Sequence, residues 1–240
     1  GCIESIFRNT VWPNFEVIVV DNASTDETRA WLRFVARERG DVRVVLNAEN
    51  RGFAAANNQG LAVATGEFLV LLNNDTIVPR GWLEPLLAQL RRPDVGLVGP
   101  VTNFVGNEAK VDVDYRSVED MEAFAQRWMT THMGEEFDIS MLAMFCVAMR
   151  KEVHAQIGDL DERFGTGMFE DDDYSRRIQA AGLRTVCTPA SFVHHFGQAS
   201  FRKLIDSGEY DGLWKRNKEI YESKWGKWTQ HKTGRALTTV

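Results

Sequence analysis

Between residues 15 and 100, four apolar runs alternate with helix-patterned segments, and the links between them are short. The runs are FEVIVV (15–20), VRVVL (42–46), FLVLL (68–72) and VGLVGP (95–100). The intervening pattern predicts helices over about 25–39, from about Phe53 to a stop at Gly66, and over 81–92. Ser24 stands three residues before Glu27, the spacing of a capping box for the first helix. Strands joined through crossover helices lie parallel. The alternation therefore predicts an α/β fold with a largely parallel, twisted sheet between helices.

In such sheets ligands bind beyond the carboxyl ends of the strands. Three of these strand ends carry polar clusters: Asp21-Asn22, Asn47 to Gly52, and Asn73-Asn74-Asp75. One cluster is explained by a turn. Three on one expected edge read as a lined site.

Beyond residue 101 the pattern loosens. Residues 102–115 read as loop with extended pieces. SVEDMEAFAQRWM predicts a helix capped by Ser117, with Met121, Phe124, Ala125 and Trp128 on one face. MLAMFCVAMR reads as a buried strand or strand pair, and KEVHAQIG as a short helix closed by Gly158. A helix begins in the acidic run 170–173 and ends at Gly182; RTVCTP and SFVHHF read as two short strands. A helical stripe spans about Asp211 to Trp225. The organisation expected is a body over 1–200 and a basic, aromatic helical tail over 201–240.

Net charge is −6, which argues against a nucleic-acid partner. The charge is uneven: residues 202–240 hold nine Lys or Arg against five Asp or Glu. The tail therefore either packs on the acidic body or makes peripheral contact with a membrane or an anionic substrate. Cys2, Cys146 and Cys187 show no paired spacing, which fits a reducing, cytoplasmic compartment. No apolar run reaches membrane-spanning length, and the start does not resemble a signal peptide.

Two further stretches carry chemistry. In FEDDDYSRR, Glu170 to Asp173 are four consecutive carboxylates. A helix N-terminus favours acids, but the run also follows the glycine-spaced loop FGTGMF, where a carboxylate could face a bound hydroxyl. In VHHFGQAS, adjacent histidines on a strand point to opposite faces, so one of His194 and His195 is left to meet a metal or phosphate.

PNFEVIVVDNASTDET, NRGFAAANNQG, GEFLVLLNNDTIVPRGWLEPLL, GDLDERFGTGMFEDDDYSRRIQAAG and VHHFGQAS occur in that order. Together they resemble the family 2 glycosyltransferases of the GT-A fold, of the bacterial rhamnosyltransferase-like kind, over about residues 10–200. The resemblance implies sugar transfer, with inversion, from a nucleotide-diphosphate donor to a glycan, lipid-linked or other hydroxyl acceptor. That activity would serve bacterial surface glycan synthesis, in the cytoplasm or at the inner face of the membrane. Asp21 and Asn22 would meet the nucleobase, and Asn50, Gly52 and Asn57 the base and ribose. Asn73-Asn74-Asp75 occupies the place of the family's Asp-x-Asp motif. Asp75, joined by His195, would hold a divalent cation, Mn or Mg, and Asn73 and Asn74 would line the donor. Asp171 would be the general base, with Glu170 orienting the acceptor or sharing the role.

The residue types suit this chemistry on their own terms. A departing diphosphate gains negative charge, which a hard cation with oxygen ligands offsets. On the opposite face of the sugar a carboxylate takes the acceptor's proton. The chain departs from the family at two points. Asn73 replaces the first acid of Asp-x-Asp, and GCIESIFRNTVWP matches the family only from inside its first helix, so the first, central strand of the sheet has no counterpart here. A non-catalytic module binding a nucleotide sugar or glycan is the alternative reading. GPVTNFVGNEAKV and the 117–131 helix either line the acceptor side or simply pack. Trp225 and Trp228 either stack on a sugar or pack the tail.

Overall fold

The computed structural model describes residues 1–197 and 205–233. In chain order the elements are α1 (Cys2–Asn9), β1 (Val17–Asp21), α2 (Thr28–Glu38), β2 (Val42–Leu46), α3 (Phe53–Val63), β3 (Phe68–Leu72), β4 (Thr76–Ile77) and α4 (Leu83–Leu90). There follow β5 (Val95–Val101), α5 (Val118–Thr131), β6 (Phe137–Asp138), β7 (Cys146–Arg150), α6 (Lys151–Ile157) and a 3-10 turn, Glu162–Phe164. The last are α7 (Glu170–Ala180), β8 (Arg184–Phe192), β9 (His194–His195) and α8 (Tyr210–Trp225).

The main sheet has five strands in the order β3-β7-β5-β8-β6. β3, β5 and β8 run in one direction, while β7 lies antiparallel between β3 and β5, and β6 antiparallel at the edge. β5 is buried along its whole length, which is why VGLVGPV reads as a continuous apolar run rather than an alternation. α4 covers one face with Leu83, Leu86, Leu87 and Leu90. α5 and α7 cover the other, through Met121, Phe124, Ala125, Tyr174 and Ile178. Gly96 permits this close approach, since a Cβ there would sit 2.7 Å from the Ile178 side chain. β1 and β2 form a separate parallel pair.

Several boundaries differ from the sequence reading. α2 begins at Thr28, and the Ser24–Glu27 capping box does not form. The Ser24 N–H is instead drawn to the Asp21 carboxylate at 3.4 Å, and Ala23 takes a positive φ of 69° to turn the chain there. The break between RTVCTP and SFVHHF falls at Val193 rather than after Pro189. Residues 184–192 form one strand, because β8 spans the core between β5 and β6 and every residue after Arg184 is buried. Of MLAMFCVAMR only Cys146–Arg150 is strand. Ser117 caps α5 as expected, its hydroxyl accepting from the Asp120 N–H at 3.1 Å.

β9 pairs with β4, aligning His195 with Thr76 and His194 with Ile77. This two-residue ribbon brings the end of the opening β3–β4 stretch against the histidine pair. The last three residues of VHHFGQAS, 198–200, lie outside the described residues, as do 201–204 and 234–240 of the tail. α8 packs on the body: Phe164, Phe169 and Tyr221 form a buried cluster joined by Trp214, Ile220, Trp225 and Trp228. Among the described residues no helix is long and apolar enough to cross a membrane.

Candidate active site

The first part of the site is a network of amides. Asn22, just past β1, donates to Asn50 Oδ1 at 2.7 Å and to the Gly52 carbonyl at 3.0 Å. Its own Oδ1 accepts from Asn47 at 3.1 Å and from the Arg51 N–H at 2.9 Å. Asn47 and Gln59 exchange two further bonds, at 2.8 and 2.9 Å. The ends of β1 and β2 and the start of α3 are thereby fixed together. Gly52 has φ of 85°, and a Cβ on it would lie 2.4 Å from the Gly165 carbonyl oxygen, so only glycine lets these loops meet. The Phe53 N–H then bonds that same oxygen at 2.9 Å. Asp21 is buried and turned inward, toward Ser24 and, at 3.4 Å, Arg29. Asn57 donates to the Phe53 carbonyl within α3. Its neighbour Asn58, which the sequence reading passed over, exchanges two bonds with Leu160 and donates to Glu162.

The second part is the β4–β9 ribbon. Asp75 Oδ1 lies 3.4 Å from His195 Nε2. His195 Nδ1 is 2.9 Å from the Phe104 carbonyl, which can only accept, so Nδ1 carries the hydrogen and Nε2 faces the carboxylate. The ring stacks on Phe145 at 4.9 Å. Burial alone would raise the Asp75 carboxyl, but the facing imidazole outweighs it and holds the group below its ordinary range. Burial likewise depresses His195 less than Asp75 and the Phe104 carbonyl elevate it. The pair of histidines is thus resolved: His194 turns away to Tyr115, with Nδ1 2.6 Å from its hydroxyl. Asn74 is exposed, and Asn73 is fixed by its backbone, donating to Phe145 and accepting from Thr76.

One carboxylate and one imidazole with its second nitrogen anchored fit a divalent cation. Among the described residues there is no group of three or more His, Cys, Asp or Glu side chains set to hold one. Such an ion would therefore draw its other ligands from a diphosphate and water, the usual habit of a hard cation at phosphates.

The third part is the acidic start of α7. Its four carboxylates separate into two pairs. Asp173, fully buried, accepts from Trp225 Nε1 at 2.8 Å and Arg177 Nε at 3.0 Å, and pairs with Lys224. Asp172 accepts from Trp228 Nε1 at 3.0 Å and lies 2.9 Å from His231. Glu170 and Asp171 are left over. Glu170 is 8% exposed, and its Oε2 has no hydrogen-bond partner. Burial, reinforced by the Asp171 charge, keeps its carboxyl well above the ordinary range. Burial and the neighbouring Asp172 charge push Asp171 up to about 7. A buried acid held neutral can donate a hydrogen bond, and one titrating near neutrality can serve as a base.

The 102–110 loop spans the last two parts. Asn103 exchanges bonds with the His195 backbone at 2.8 and 3.0 Å, while Glu108 faces His231 at the other end. The contributions of Asn103, Asn217, Lys224 and His231 were not visible in the sequence. Asn217 alone left a trace, as a polar residue inside the apolar stripe 213–221.

A sheet of this order with helices on both faces and polar strand ends defines a GT-A fold. The structure resembles GalNAc-T7 solved with UDP, GalNAc and Mn2+, at TM-score 0.65 and 18% identity, covering 81% of this chain and 40% of that one. It also resembles the mannosyltransferase PcManGT from Pyrobaculum calidifontis in complex with GDP-Man and Mn2+, at TM-score 0.60 and 20% identity, covering 94% and 71%.

Residues 1–158 match glycosyl transferase family 2, and the chain belongs to that family. It is 30% identical over 236 residues to the O-antigen biosynthesis protein RfbC of Myxococcus xanthus, covering 87% of this chain and 17% of that protein. It is also 30% identical over 166 residues to the pre-mycofactocin glycosyltransferase of Mycobacterium tuberculosis, covering 69% and 34%. The chain spans about a third or less of the length of these curated relatives.

Proposed function

We propose that the chain is the catalytic domain of an inverting glycosyltransferase, of hexosyl or rhamnosyl type, which moves a sugar from a nucleotide diphosphate to an acceptor hydroxyl. One observation carries the reading: within the acidic run Asp172 and Asp173 are engaged by the tail, while Glu170 and Asp171 are left with raised carboxyls. A binding module has no use for a carboxylate poised near neutrality, which disfavours the non-catalytic alternative.

In this reading the amide network of Asn22, Asn50 and Gly52, with Asp21 behind it and Asn57 on α3, forms the floor on which nucleobase and ribose rest. Asp75 and His195 hold the cation, and Asn73 and Asn74 border the diphosphate. A bound Mn or Mg ion supplies the positive charge that offsets the leaving diphosphate. Glu170, kept protonated, donates a hydrogen bond to the acceptor. Asp171 accepts the proton of the attacking hydroxyl as the new bond forms opposite the leaving group, which inverts the anomeric carbon.

The likeness to an O-antigen protein supports an acceptor that is a glycan or lipid-linked glycan of the bacterial surface. The cytoplasm, at the inner face of the membrane, is the setting we propose; the spacing of Cys2, Cys146 and Cys187, which forms no paired motif, is consistent with a reducing compartment. The test is turnover of UDP-, GDP- and dTDP-sugars with Mn2+, acceptor hydroxyls or water being the second substrate. The expected result is nucleoside-diphosphate release by the parent and its loss in Asp171→Asn with donor binding retained. Equal release by both removes Asp171 from the reaction.

A further inference from the structure

The chain beyond α8 turns back onto the acidic run and brings an imidazole to it. His231 Nε2 lies 2.9 Å from Asp172 Oδ1, the same oxygen that accepts the Trp228 indole N–H. The His231 ring meets Trp228 edge-on at 5.6 Å, and Trp228 meets Phe169 at 5.5 Å. The segment is anchored from behind. Trp228 N–H bonds Glu222, and the buried Asn217 amide donates to the carbonyls of Phe164, Gly167 and Met168 at 2.7, 2.7 and 3.1 Å. Met168 and Phe169 both hold positive φ, 74° and 72°, a conformation that persists only when its surroundings impose it. The tail imposes it immediately before Glu170.

We propose that His231 is a positioning residue of the acidic station: seated on Asp172 beside Trp228, it supplies the positive charge that governs how tightly Asp171 holds its proton. The proposal rests on the reading of Asp171 as the base. Four consecutive carboxylates need counter-charge, and its supply is uneven. Asp173 has Arg177 and Lys224, with Lys224 also reaching Asp161 at 3.0 Å. Asp172 has His231. Among the described residues no cation pairs directly with Glu170 or Asp171. The charges facing Asp171 are Glu170 and Asp172 on its own helix and His231 from the tail, with Glu108 facing His231 from the 102–110 loop. Without His231 the Asp172 charge stands uncompensated next to Asp171, which then binds its proton more tightly.

The experiment is a titration of the whole chain by carbon-13 NMR of the Asp carboxyls, with Asp171→Asn assigning the resonance. The parent should titrate at about 7. His231→Gln should move that midpoint upward by about half a unit or more, and His231→Lys, which restores a cation, should bring it back toward the parent. A midpoint unchanged in His231→Gln, or moved equally in both variants, overturns the proposal. The base reading fails separately, through undiminished turnover in Asp171→Asn, and that outcome leaves the titration result standing.

Discussion

At the ends of β1 and β2 the polar side chains satisfy one another; at the start of α7 Asp172 and Asp173 find side-chain partners and Glu170 and Asp171 do not. Asn50, Asn22, Asn47 and Gln59 form a continuous chain of hydrogen bonds before any ligand arrives. Glu170 keeps a buried oxygen without a partner, and Asp171 sits at about 7. Neutral amides hold a surface in shape at no electrostatic cost. Carboxyls taken from water without a cation to pair them destabilise the fold, and the same desolvation raises their pKa. The first region therefore behaves as a prebuilt floor and the second as a reactive station. Substitutions should separate them, with function lost at the second and stability at the first.

The largest expected effect is at the reactive station. Asp171→Asn should lower kcat by about a thousandfold, as loss of a general base does, while the folded state gains. The folded Asp171 pKa, at about 7, lies above that of an unfolded aspartate. Its contribution to stability is therefore whole only below about pH 4, the unfolded value, and is lost as pH rises through about 7. The melting temperature of Asp171→Asn should exceed the parent's by more at pH 8 than at pH 4. A variant that melts lower at pH 8 would break the comparison.

Next comes the cation pair. Asp75→Ala should weaken Mn2+-dependent binding of nucleoside diphosphate by about two orders of magnitude by calorimetry. Binding without metal should change little. Metal-dependent affinity that survives intact would take Asp75 out of the cation site.

At the floor the sign reverses. Gly52→Ala places a Cβ 2.4 Å from the Gly165 oxygen at positive φ, and should cost about 2–4 kcal/mol in urea unfolding. Asn22→Ala removes four hydrogen bonds and should cost about 1–3 kcal/mol. The smaller loss reflects water entering at this exposed edge. If Asn22→Ala lowered kcat with stability unchanged, the floor would be part of the chemistry and the contrast would fall.

The same contrast explains what the sequence disclosed. Apolar runs such as VGLVGP announce buried strands, and clusters at their carboxyl ends announce an edge, so β1, β2, β3 and β5 and their polar ends were legible. Local signals failed where a distant partner won. Ser24 offers a cap to α2, yet Asp21 draws its N–H away. RTVCTP and SFVHHF look separable at Pro189, yet pairing with β5 on both sides of it, at Thr188 and at Phe192, carries one strand through. The division of the acidic run was invisible for the same reason. Nothing in EDDD distinguishes Asp171 from Asp172; Trp228 and His231, more than fifty residues on, make the distinction. The tail's stripe was readable as a helix, but its target was not.

The pH dependence of kcat/KM for donor turnover tests the central claim most directly, because it reads the base itself. Rates should fall about tenfold per pH unit below about 7 and level off above it. A profile flat down to about pH 5, the range of an ordinary exposed carboxylate, would contradict the assignment of Asp171 as the base.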